Sequence, residues 1–256
     1  MSKTALVTGT TSGIGYDICT LFAKDKVNLV LVSRSQEKLL NQKRELQSKY
    51  RIQIDIIAHD LAKPNSAEQI TSHLISKNIH IDYLVNNAGF NEVGAFSNTD
   101  LANELEMIQL HITFVTKLTK YILPTMLKNS HGRILNIVST GAYIPCPHDI
   151  VYTATKAYLL SFTKGLSAEL RQTGITVTAA CPGATHSNFA LKAGIDKSLL
   201  FKFFVMDSAY VAQKSYKAFM SGKKVKIVGI YNRVLVFSSH ILPNRLISWI
   251  GIKMLK

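Results

Sequence analysis

The chain has 256 residues, 47% of them hydrophobic, and no tract dominated by Gly, Ser, Pro or Gln, so a long disordered protein is excluded. Three widely spaced cysteines, Cys19, Cys146 and Cys181, exclude a disulfide-built scaffold and fit a reducing compartment. The net charge of +14 is uneven: from residue 192 onward twelve Lys and Arg stand against two acids, Asp196 and Asp207.

Met1-Ser2-Lys3 leads straight into an apolar run, without an h-region or a small-residue cleavage site, so no secretory leader is read. Strands are predicted at Thr4–Thr8, Val27–Ser33, Ile52–Ala58, Ile81–Val85, Gly132–Val138, Ile175–Cys181 and Val225–Val228. Helices are predicted near 13–25, 35–49, 64–77, 101–128, 152–172 and 207–221. Strands this apolar are buried on both faces, and crossovers of this length require a parallel sheet. The fold class is α/β, a Rossmann-type doubly wound parallel sheet of about seven strands in a single domain. No apolar run reaches the roughly 20 residues that span a bilayer.

Ligands of such sheets bind beyond the carboxyl ends of the strands, and the unusual residues gather there. The first strand ends in Thr8-Gly9-Thr10-Thr11-Ser12-Gly13-Ile14-Gly15 and a helix follows. Glycines here let the backbone approach a pyrophosphate at a helix N-terminus, so Gly9, Thr11, Ser12, Gly13, Ile14 and Gly15 are candidate cofactor contacts. After the second strand, where an acid would hold the adenosine ribose of NAD, stands Ser33-Arg34-Ser35. Arg34 suits a 2′-phosphate, which favours NADP(H) over NAD(H); the alternative is a solvated surface arginine. Asp60 is either an adenine contact or an ordinary turn acid. Asn86-Asn87-Ala88-Gly89 is a polar, glycine-ended turn at the same edge.

Tyr152 and Lys156 lie four apart on one helix face, where an ammonium would lower the pKa of the phenol. With 10 tyrosines and 23 lysines this spacing arises by chance about once, and it occurs twice, the second pair being Tyr210 and Lys214. Context separates them. Tyr152 begins a helix thirteen residues after Ser139, at the end of a strand, whereas Tyr210 has no such hydroxyl before it.

The glycine turn, Asn86–Gly89, Ser139, Tyr152 with Lys156, and Cys181-Pro182-Gly183 together resemble the short-chain dehydrogenase/reductase family, over about residues 3–230. The resemblance implies an oxidoreductase that interconverts a carbonyl and a secondary alcohol by hydride transfer with NADP(H). Tyr152 would exchange the proton, Ser139 hold the substrate oxygen, and Lys156 lower the Tyr152 pKa and hold the nicotinamide ribose. Asn87, Ala88 and Gly89 would border the cofactor, as would Pro182, Gly183, Thr185 and Ser187 of the turn after the sixth strand. The family's helical asparagine is replaced by His111, which adds a titratable ring to the catalytic set and an expected ionisation at about 6–7; the alternative is a helix histidine satisfied by its neighbours.

Residues 187–206 occupy the family's substrate loop, and the apolar run Leu199–Val205 around Lys202 implies an apolar substrate. Beyond the catalytic and dinucleotide-binding region, 1–230, the segment 231–256 is a basic apolar tail with Arg233, Arg245, Lys253 and Lys256. It suits an anionic membrane surface, closure of the pocket or a dimer contact. The expected setting is cytoplasmic, peripheral to the inner face of a membrane, as a homo-oligomer, dimer or tetramer. No nucleic-acid motif accompanies the charge, so no nucleic-acid partner is read. The rival function is a non-catalytic dinucleotide-binding sensor or scaffold at a membrane surface, which an intact Ser, Tyr and Lys set disfavours.

Overall fold

The computed structural model describes residues 2–186 and 205–255. Seven strands form one parallel sheet: β1 Thr4–Thr8, β2 Asn28–Ser33, β3 Ile54–Ala58, β4 Tyr83–Asn86, β5 Gly132–Ile137, β6 Ile175–Cys181 and β7 Val225–Ile227. Their order is β3-β2-β1-β4-β5-β6-β7. Chain direction across the sheet reverses between β1 and β4, so the turns after those two strands open onto one crevice.

The strands read as continuous apolar runs because the pleat sends alternate residues to two buried layers. Leu6 packs with Leu84, Phe114, Leu118 and Leu160 on one side. Its neighbours Ala5 and Val7 pack with Ile18, Phe22 and Phe219 on the other. Helices α1 Gly13–Lys24, α2 Gln36–Tyr50 and α3 Ser66–Ser76 connect the first strands as predicted.

The single helix predicted at 101–128 is subdivided. It runs as α4 Leu101–Ile108, a π-helical stretch Gln109–Phe114, and α5 Val115–Lys128. The π stretch widens the helix by about one residue and re-aims the side chains that follow, a device that sequence periodicity does not reveal. A 3-10 turn, Thr140–Tyr143, and α6 Ile150–Glu169 follow β5, and α7 Ser208–Met220 precedes β7.

A buried polar chain stitches the central strands to the helix that carries Tyr152. Asn86 Nδ2 donates to Asn136 Oδ1 at 2.8 Å, and Asn136 Nδ2 donates to Thr163 Oγ1 at 2.8 Å. Asn136 has no exposed surface, so losing either bond would strand a polar group in the core.

The described tail is two helices joined by a short turn. Helix α8 spans Ile230–Ser239, where no helix was expected, and α9 Asn244–Leu255 follows Pro243. Val236 and Ile247 are buried, and Asn232 Nδ2 donates to the Val228 carbonyl at 2.7 Å. A Cβ on Gly183 would collide with the Asn232 side chain, so α8 rests directly on the turn after β6.

Candidate active site

The turns at the carboxyl ends of β1, β2, β4, β5 and β6 surround one cavity of about 430 Å³. Gly9, Thr11, Ser12, Gly13 and Ile14 form one wall, and Arg34 and Asp60 lie at the β2–β3 end. Asn87, Ala88 and Gly89 lie below, and Pro182, Gly183 and Thr185 close the β6 side. Ser139, Tyr152 and Lys156 meet in the middle. Ser187 and the loop to residue 204 lie outside the described residues.

The glycine turn has a left-handed backbone, which favours glycine, at two points. Gly9 has φ +69° and Gly13 φ +56°. A Cβ on Gly9 would fall 2.8 Å from Ala88 Cα, and one on Gly15 would strike the Gly9 carbonyl. Gly15 therefore stands behind the cavity wall and lets α1 pack closely, instead of lining the cavity. The turn is braced by Thr8, whose Oγ1 accepts from the Asn87 and Ala88 N–H groups at 3.0 and 3.1 Å. Asn87 Nδ2 donates to the Thr8 and Gly9 carbonyls at 2.9 and 3.0 Å. Its amide thus holds the turn's shape, and Thr8, given no role from sequence, is its partner.

Ser12 is the N-cap of α1, yet its side chain makes no capping bond, so the first N–H groups of the helix remain available to an anion. Arg34 is exposed at the cavity edge and forms no ion pair with a described residue. Asp60 behaves locally as a turn acid, with one carboxylate oxygen accepting from Ala62 N–H at 3.1 Å. Together these surfaces fit a dinucleotide: a cradle of glycine backbone, an uncapped helix start, and a cation at the far end.

A profile described as short chain dehydrogenase matches residues 3–197. The chain belongs to the short-chain dehydrogenase/reductase family. It is 35% identical over 193 residues to a putative ketoacyl reductase of Streptomyces coelicolor, covering 74% of this chain and 73% of that protein. It is 31% identical over 263 residues to the human very-long-chain 3-oxoacyl-CoA reductase, covering 99% of this chain and 78% of the relative. A short-chain dehydrogenase from Sphingobium yanoikuyae, solved in complex with NADPH, superposes with a TM-score of 0.83 at 28% identity, covering 93% of each chain. This member of the family is thus an oxidoreductase acting on CH–OH groups with a nicotinamide dinucleotide.

Within the dehydrogenase/reductase site, Lys156 is 5% exposed and its Nζ donates to the Ile137 carbonyl at 3.1 Å. Nζ lies 5.5 Å from the centre of the Tyr152 ring. Burial lowers the Lys156 pKa to about 8. The expectation that Lys156 depresses the Tyr152 pKa is corrected. Burial, and then the charge of Asp149, hold the phenol above its usual value, while a hydrogen bond with Ser139 works the other way. The phenol is therefore a proton donor throughout the neutral range.

Of the two readings of His111, the geometry follows the histidine satisfied by its neighbours and not the titrating one. It is 1% exposed, does not line the cavity, and lies in the π stretch. Its Nε2 accepts from the Phe90 N–H at 3.3 Å, which leaves Nδ1 as the protonated nitrogen, 2.9 Å from Thr155 Oγ1. Burial and the nearby Lys156 charge push its pKa well below the usual histidine value. It is a neutral brace joining the turn after β4 to α6, and a Cβ on Gly89 would fall 2.7 Å from its Nε2. The pH–rate profile should consequently carry no step from His111, and any ionisation at about 7 belongs to Asp149 and should persist in His111→Asn. A step there that vanishes in His111→Asn would restore the titrating role.

The second Y-x-x-x-K pair is separated from this chemistry. Tyr210 is 43% exposed on α7, with Lys214 Nζ 5.2 Å from its ring and neither residue at the cavity. Sequence reasoning left closure of the pocket as one of three roles for the tail and did not name Leu235, Leu242, Ile247 and Gly251, which complete the cavity. It also overlooked Asn91 and Asp149; Asp149 is the N-cap of α6, three residues before Tyr152, and both border the cavity.

Proposed function

We propose that the chain reduces a ketone on a mainly apolar substrate to a secondary alcohol, with NADP(H) preferred. The observation that carries this reading is the meeting of Ser139, Tyr152 and Lys156 at one cavity wall beside the glycine turn. A bound nicotinamide dinucleotide supplies the hydride. Tyr152 delivers its phenolic proton to the substrate oxygen, and Ser139 holds that oxygen in place. Lys156 binds the cofactor's ribose and restores the proton. Gly9, Thr11, Ser12, Gly13 and Ile14 receive the pyrophosphate, with Gly15 giving α1 its close approach. Asp60, Asn87, Ala88, Gly89, Pro182, Gly183, Thr185 and Ser187 border the same molecule. Phe90, Leu110, Leu235, Leu242 and Ile247 supply the apolar lining. A panel of aliphatic ketones, cyclic ketones and 3-oxoacyl thioesters, assayed with NADPH and NADH, tests the reading. Absence of turnover with every member would sink it.

Arg34 supports the preference for NADP(H), because it stands where an acid would serve NAD. Arg34→Ala should weaken NADPH binding by about 1–3 kcal/mol, the range for a charged hydrogen bond, and leave NADH binding unchanged. Fluorescence titration with both cofactors reads the difference. Equal losses would remove the assignment.

A second reading concerns the outside of the tail, which we assign to an anionic membrane surface. Ile230, Val234, Phe237 and Ile241 form an exposed stripe at helical spacing, and Trp249 is 54% exposed beside it in sequence. Exposed Arg233, Arg245 and Lys253 flank these residues, with Lys253 Nζ 4.6 Å from the Trp249 ring. Among the described residues no helix is long and apolar enough to cross a membrane. Deleting the tail would also open the cavity, so the cleaner test is Phe237→Glu with Trp249→Glu. This variant should stop floating with phosphatidylserine vesicles while the parent floats, less so in high salt. A parent that stays at the bottom of the gradient overturns the reading.

A further inference from the structure

Asp149 occupies the N-cap of α6, the position where aspartate ordinarily accepts the N–H of the second or third helical residue. It makes no such bond. The Thr153 N–H goes to the Asp149 carbonyl at 3.1 Å, the ordinary first bond of the helix. The carboxylate is 9% exposed, borders the cavity beside Tyr152, and has a buried Oδ1 with no partner. Asn91, 7% exposed on the turn after β4, also borders the cavity, and its Oδ1 is likewise buried without a partner. Burial pushes the Asp149 carboxyl up to about 7, with a hydrogen bond from Asn91 working in the other direction.

Two buried acceptors left open at a cavity wall destabilise the empty protein, since each such atom carries a desolvation penalty. The rest of this wall is apolar: Ile144, Leu242 and Ile247 line the same cavity. The unpaired acceptors are therefore placed to meet a donor brought by the substrate.

We propose that Asp149 and Asn91 form a recognition site for a hydroxyl or amino group on the substrate. Asp149 and Tyr152 line one cavity, so this donor and the carbonyl that meets Tyr152 belong to a single substrate. The substrate is thus a hydroxy- or amino-ketone with an otherwise apolar body. The assignment rests on the proposed reductase reading, because it takes Tyr152 as the reference point for the reacting carbonyl.

The test uses matched pairs: 2-pentanone with 5-hydroxy-2-pentanone for turnover, and 2-pentanol with 1,4-pentanediol for binding. Calorimetry on the full chain with saturating NADP+ compares the alcohols, and NADPH consumption compares the ketones. The parent should favour the hydroxylated member by about tenfold or more in both, the ratio for one hydrogen bond to a charged group. In Asp149→Leu that ratio should fall to near one. In Asp149→Asn, which keeps the shape and one acceptor, it should be intermediate, so a misfolded Leu variant does not decide the matter. Equal binding of alcohol and diol by the parent, or an unchanged ratio in both variants, overturns the proposal. Selective diol binding lost on substitution, without turnover of either ketone or of any member of the wider panel, upholds the donor site and removes the reductase reading.

Discussion

Tyr152→Phe should lower kcat/KM for carbonyl reduction by about 10²–10⁴, the usual contribution of a positioned proton donor. Cofactor affinity should barely change, because the ring remains and only the hydroxyl is removed. The reason for expecting so clean a loss lies in the environment of the phenol. Burial and the Asp149 charge keep it protonated at neutral pH, and Ser139 is hydrogen-bonded to it. No other phenol among the described residues lines this cavity. Tyr210→Phe is the control, exposed on α7 with its own lysine neighbour, and it should retain the parent rate. Steady-state kinetics on the two variants decide the point. Loss in the Tyr210 variant, or survival of the Tyr152 variant, would mean that the wrong pair has been assigned.

Lys156→Met should remove activity and at the same time raise the melting temperature at pH 7. The buried ammonium titrates at about 8 in the folded protein, against roughly 10.4 for an unfolded lysine. Between those values the unfolded chain holds more protons, so the stability of the parent rises with pH across that window. Below about pH 8 the full cost of burial is present, roughly 3 kcal/mol from the difference between the two values. Methionine removes that cost and loses the bond to the Ile137 carbonyl, about 1 kcal/mol. The variant should therefore melt above the parent at pH 7, and the gap should shrink by pH 10. Thermal denaturation at both values measures it. A variant that melts lower at pH 7 would show that Lys156 is a net structural stabiliser. If instead it melts higher, the parent accepts an unfavourable buried charge for no gain in folding, which is the signature of a residue retained for chemistry.

The amino-acid sequence by itself determined the sheet, the position of the glycine turn and the Tyr152–Lys156 spacing. Those features follow from local rules: apolar runs for doubly buried strands, glycine where φ is positive, and four-residue spacing on a helix. It also separated Tyr152 from Tyr210, because a serine at a strand end precedes only the first. The π stretch at Gln109–Phe114 was not legible, since an inserted residue leaves the apolar pattern of 101–128 nearly intact. Helix α8 was not legible either, because its outer stripe is as apolar as its inner face. What the tertiary structure alone decided were through-space relations. It spent the Asn87 amide on the glycine turn, fixed the tautomer of His111 between Phe90 and Thr155, and made the tail a wall of the cavity. It reversed the expected shift of Tyr152 by burying the phenol near Asp149, and left that carboxylate uncapped. Protonation and hydrogen-bond partners depend on burial and on neighbours distant in sequence, and spacing along the chain carries no record of either.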